Sequence, residues 1–136
     1  MSMYLTHQAL VESFINLGLP IDISHENVDF NPLNTDPFVA IYVIPASIDS
    51  LGKRGDGSDE IAGVFQASFF APSGESVGEL LQLVDTCLQF YKHGSTVTKD
   101  TQSVYIENSE RNGGRNAEGW YIIDVSVYFK ADIGRV

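Results

Sequence analysis

The stretch IAGVFQASFFAPSGESVGELLQLVDTCLQFY, residues 61–91, decides the fold class because its hydrophobic period changes once and sharply. From Ile61 to Ala71 the side chains alternate. Phe65, Ala67, Phe69 and Ala71 fall on one face, and Val64, Gln66, Ser68 and Phe70 on the other, which is the period of a strand. Pro72-Ser73-Gly74 stops it. Ser76-Val77-Gly78-Glu79 then reads as a capping box, in which the serine hydroxyl and the glutamate carboxylate each take up an otherwise orphaned backbone N–H. Val77, Leu80, Leu81, Val84, Leu88 and Tyr91 recur at helical spacing, and Leu83, Cys87 and Phe90 widen the apolar sector. A largely buried helix is therefore predicted, ending by Gly94.

Upstream of this unit, Phe38 to Ile44 is an unbroken apolar run rich in β-branched and aromatic residues, read as a strand terminated by Pro45. Residues 46–60, with three glycines and clustered charge, read as a long polar hairpin connection reaching into solvent. Asn31 to Pro37 is dense in turn formers, and Ile21, Ile23 and the 27–30 stretch suggest a short strand. Leu10, Phe14 and Leu17, at i, i+4 and i+7 ahead of Gly18 and Pro20, place a helix at 4–17.

Downstream, shorter strands are drawn at 95–99 and 103–108. Residues 109–118, around Asn112-Gly113-Gly114, read as a second flexible polar loop. The strand at 120–130 is the plainest: Tyr121, Ile123, Val125, Val127 and Phe129 form an apolar face, with Asp124, Ser126, Tyr128 and Lys130 opposite. The expectation is one α+β domain over 1–136, a mainly antiparallel sheet with two helices packed on it in the order α-β-β-β-α-β-β.

A chain of 136 residues with 43% hydrophobic and 19% charged side chains can build a single core, with no need of a metal or disulfide framework. Eight Lys and Arg against eighteen Asp and Glu leave a net charge of −10, which argues against a surface made to grip nucleic-acid phosphates. Residues 1–52 hold six acids and no Lys or Arg, so an acidic face is expected. The start, MSMYLTHQ, has neither the basic nor the apolar region of a secretion signal, and no apolar run is long enough to span a bilayer. The protein is expected to be made soluble, in the cytoplasm, with no membrane partner.

No catalytic constellation emerges. His7, His25 and His93 lack metal-ligand spacing, and Cys87 sits in an apolar stripe where desolvation suppresses a thiolate, so no metal and no cofactor is expected. Asp56 to Glu60 lacks the alternating carboxylates and glycine of a calcium loop, and Arg54-Gly55-Asp56 is too short a match to indicate an adhesion site. Asp124, on the polar face of the last strand amid aromatics, is the single acid placed where a pocket could use it. A rival reading takes it as the polar anchor of a small-molecule-binding or hydrolytic pocket between the second helix and the sheet.

What the chain offers instead is capacity for interaction. Lys53, Arg54, Arg111 and Arg115 are half of all its cations and lie in the two polar loops. With Asp56, Asp59 and Glu60 they are the expected contacts to a neighbouring copy in a head-to-tail arrangement. Gln66, Ser68, Asp124, Ser126 and Lys130 alternate opposite the core side and form a polar sheet face available to line a channel.

The segments NPLNTDPFVAIYVIP (31–45), GVFQASFFAPSGESVGELLQLVDTCLQFY (63–91) and GWYIIDVSVYFKADI (119–133) together resemble the tail terminator, or tail completion, proteins of long-tailed bacteriophages. The resemblance covers about residues 27 to 133. It rests on a strand ending in proline, a Gly-x-x-Gln strand running into Pro-x-Gly, an amphipathic helix, and Gly-Trp-Tyr opening the final strand. It implies a structural virion protein with no enzymatic activity, forming a hexameric ring with itself. Such a ring caps the tail tube protein at the head-proximal end, stops polymerisation, and offers a docking surface to a head-completion or connector protein. It implies no sequence-specific contact with nucleic acid. Another head–tail joining protein, or a tube protein of the same assembly, is the alternative within this class.

Overall fold

In a computed structural model, residues 3–26, 36–50, 58–74 and 77–134 are described. Two helices, α1 (Met3–Asn16) and α2 (Gly78–Phe90), accompany seven strands: β1 (Asp22–Ser24), β2 (Phe38–Ser50), β3 (Ser58–Pro72), β4 (Thr96–Lys99), β5 (Gln102–Arg111), β6 (Arg115–Ala117) and β7 (Trp120–Gly134). The strands form one sheet in the order β1-β2-β3-β7-β5-β4, with β6 also paired to β7. Among the described residues only β1 and β2 run parallel, and the other pairings are antiparallel. The α+β class is as expected, but four strands follow α2, where the expected order had two and the segments drawn were three.

β3 and β7 are the spine, paired from Ser58↔Gly134 to Pro72↔Trp120. Their odd-numbered residues Phe65, Ala67, Phe69, Ile123, Val125 and Val127 are fully buried, as the alternation required. Both helices cover this side. Phe14 of α1 meets Phe65 and Phe69 at ring distances of 5.9 and 6.4 Å, and Tyr91, just past α2, meets Phe65 at 5.9 Å. Ser13 and Tyr91 share a hydrogen bond of 2.6 Å that ties the two helices together. Cys87 is buried in the same core, and burial pushes its thiol up to about 12.

Several boundaries differ from the sequence reading. β2 does not stop at Pro45: it continues to Ser50 through a β-bulge between Pro45 and Ser47, and Ser50 pairs with Asp59. The expected 46–60 connection is therefore mostly hairpin strand, and its 51–57 part lies outside the described residues, as do 27–30 of the first short strand and 31–35 of the expected turn. α2 begins at Gly78, with Val77 as N-cap and no side-chain cap bond from it; Ser76, on which the expected capping box turns, lies outside the described residues. The helix buries one stripe, Leu80, Val84 and Cys87, and leaves Phe90 exposed. The expected loop 109–118 is largely β5 and β6, joined by a tight turn in which Gly114 takes a positive φ of 87°. A Cβ there would meet the Tyr121 hydroxyl.

Candidate assembly surface

Because both helices lie on the odd-numbered side, the even-numbered side of the sheet has no helix over it among the described residues. At one end Phe38 stacks on Phe70 at 4.4 Å, and Trp120 meets Phe38 edge-on at 5.1 Å. This aromatic cluster seals the sheet where β2, β3 and β7 meet. Beyond it the face turns polar, row by row: Ser68 opposite Asp124, Gln66 opposite Ser126, and Val64 opposite Tyr128.

Asp124 organises the first row. Its Oδ1 accepts from the Ser68 hydroxyl at 2.6 Å, and its Oδ2 accepts from Asn112 Nδ2 at 2.9 Å and Arg115 Nη2 at 3.4 Å. Asn112 returns the contact: its Oδ1 accepts from the backbone N–H groups of Asp124 and Gly114. The β5–β6 turn is thereby fastened to β7. Ser126 donates to Gln66 Oε1 at 3.4 Å, and Tyr128 donates to Glu110 at 2.7 Å, a bond that holds the phenol above its ordinary pKa. Lys130 reaches Glu107 at 3.3 Å and Glu60 at 3.9 Å. Gln66, Glu110, Arg111, Asn112, Asp124 and Ser126 border an open depression of about 340 Å³.

The five residues expected on one polar face, Gln66, Ser68, Asp124, Ser126 and Lys130, are thus brought together on the helix-free side. The expected contact residues are not gathered. Lys53, Arg54 and Asp56 lie outside the described residues, and Asp59 is placed by its backbone pairing with Ser50 and Ile133. Glu60 sits near Lys130 at the hairpin end of the sheet, whereas Arg115 pairs with Asp124 and Arg111 stands in register with Val125. Arg115 reaches inward to its own protomer's carboxylate. Arg111, at the exposed end of β5, donates to the Asn112 carbonyl and pairs with no carboxylate among the described residues.

The pocket reading of Asp124 is corrected by this geometry, since the carboxylate faces away from α2 and cannot line a cavity between that helix and the sheet. Among the described residues no group of three or more His, Cys, Asp or Glu could hold a metal ion. Sequence reasoning missed Asn112, Glu107 and Glu110. Ending the strand at 108 hid the partnership of Glu110 and Asn112 with β7, which the alternation of Asn108 and Glu110 could have revealed, and Glu107 fell inside the expected strand, at the irregularity between Ile106 and Asn108.

A family model described as phage tail terminator protein matches residues 6–129. Thirteen chains of solved structures match this one. One of them superimposes with a TM-score of 0.77 at 17% sequence identity, covering 98% of this chain and 97% of its own, a likeness that speaks to the fold alone. No curated protein matches.

Proposed function

The chain belongs to the phage tail terminator family, a structural, non-enzymatic family of the phage tail, and on that premise we propose that it works as a ring of six copies on the end of the tail tube. The ring satisfies the repeating contacts of the tube tip with one side, stops polymerisation there, and presents its other side to a head-completion or connector protein. Its place is the head-proximal end of the virion tail, reached by assembly in the host cytoplasm. The observation that carries this reading is the family match across 6–129, which takes in α2, most of α1 and most of the sheet.

The geometry supports a division of labour between the two sides of the protomer. The odd-numbered side is consumed by the core. The helix-free side, with Gln66, Ser68, Asp124, Ser126 and Lys130, is the one we assign to the channel. Its carboxylates are held in place by their own protomer, and an acidic wall keeps a passing DNA duplex from adhering through its phosphates. Neighbour contacts fall to Lys53, Arg54 and Asp56, which lie outside the described residues, to Asp59 and Glu60 at the start of β3, and to Arg111 and Arg115 on either side of the β5–β6 turn. Among the described members Arg111 is the strongest, because it pairs with no carboxylate among the described residues.

Tail tubes polymerised with and without the purified protein, imaged by electron microscopy, test the proposal. The expected result is a ring of density at one tube end and a narrow length distribution. Tubes of unregulated length in its presence overturn it.

A further inference from the structure

On its outer side β2 pairs with β1 only from Phe38 to Ala40, while the strand itself runs on to Ser50. Beyond Ala40, no described strand takes up the backbone groups on that side. An open edge of this kind is where a sheet accepts a strand from another chain. Three features act on it. Glu26, two residues past β1, accepts the Val43 N–H on Oε1 at 3.0 Å, as a carbonyl of a longer β1 would. His7 Nε2 of α1 stands 3.6 Å from that same oxygen, within ion-pair reach when the imidazole carries its second proton. Outward N–H groups recur every second residue, which makes position 45 the next; it is Pro45, with no N–H to offer. The bulge between Pro45 and Ser47 then breaks the register and adds local twist.

We propose that Glu26 is an edge cap: positioned by His7, it occupies the Val43 amide and, with Pro45 and the bulge, keeps the β2 edge of one copy from pairing with the β2 edge of another. The occupant it excludes is a second copy of this chain. The inference concerns the isolated chain and does not rest on the tail-terminating role.

Three substitutions separate the parts of the idea. Glu26→Ala removes the cap, Glu26→Gln keeps a carbonyl acceptor without the charge, and Glu26→Lys leaves the amide uncapped while placing on the edge a charge that resists pairing. Val43 amide exchange in dilute solution and sedimentation velocity over a concentration series are the readouts. With Glu26→Ala, exchange at Val43 rises about tenfold, the scale of one lost hydrogen bond, and the mean mass exceeds wild type at equal concentration. Glu26→Gln stays near wild type in both, and Glu26→Lys raises exchange but not mass. Unchanged Val43 exchange in Glu26→Ala, or self-association of Glu26→Lys equal to that of Glu26→Ala, overturns the proposal. If Glu26→Ala does not fold, His7→Ala, which loosens the carboxylate without removing it, should still raise Val43 exchange; failure to do so counts equally against it.

Discussion

Asp124 accepts hydrogen bonds from Ser68, Asn112 and Arg115 at once, and its side chain is only 16% exposed. The Arg115 contact is solvent-exposed and contributes little, whereas the Ser68 hydroxyl is buried and has its acceptor in this carboxylate. Asp124→Ala is therefore expected to cost about 2–3 kcal/mol in urea unfolding, and Asp124→Asn, which keeps an acceptor, about 1 kcal/mol. Equal stabilities for the two variants would show that the acceptor is not what matters. Cys87 makes a second case. Its thiol, ordinarily near 9.0, is pushed up to about 12 by burial, and burial raises the neighbouring Tyr91 phenol in the same direction. The unfolded chain thus releases the thiol proton first, so stability is full below about pH 9 and declines as pH rises toward 12, by up to about 1.4 kcal/mol per pH unit for one such group. Urea midpoints between pH 8 and 10.5 should fall, and fall less steeply in Cys87→Ala. The same burial predicts that thiol reagents label Cys87 at pH 8 only once the protein is unfolded.

At the level of elements, the β2–β3 hairpin is constrained by what it cannot accommodate. A Cβ at Gly63 would stand 2.6 Å from the Ile44 carbonyl oxygen and 2.9 Å from the Phe129 ring, so both a backbone and a core side chain would have to move. Gly63→Ala should destabilise by about 1–3 kcal/mol, read from thermal unfolding; a neutral result would mean that β2 shifts freely against β3. The elements themselves were legible from periodicity wherever one face is buried, as in Phe65 to Ala71, Tyr121 to Phe129 and Leu10 to Phe14. Their ends were less so. Pro45 looked like a stop because proline lacks a donor, yet it stands on the outward side of an edge strand, where no ladder bond is asked of it. Residues 109–117 looked like loop because their composition is polar, yet apart from the 112–114 turn they are strand, because β7 is long enough to pair with β5 and β6 in succession.

For the whole molecule, charge sets the problem. Each protomer carries −10, and the proposed ring of six would carry about −60, so its copies repel at long range while contacts such as Arg111 to a neighbour's carboxylate act at short range. Salt screens the first more than the second, and the ring should strengthen as ionic strength rises. Less hexamer by native mass measurement at about 300 mM salt than at about 30 mM would contradict this balance. The α+β class, the buried stripe of each helix and the two faces of β3 and β7 follow from the sequence alone, because solvent sorts apolar from polar side chains at a period that local geometry dictates. Only the tertiary structure decided that both helices share one side of the sheet, that Asn112 and Arg115 close on Asp124, and that Glu26 reaches the edge at Val43. Those contacts join residues far apart in the chain, and strand order and register, which bring them together, leave no period in the sequence to be read.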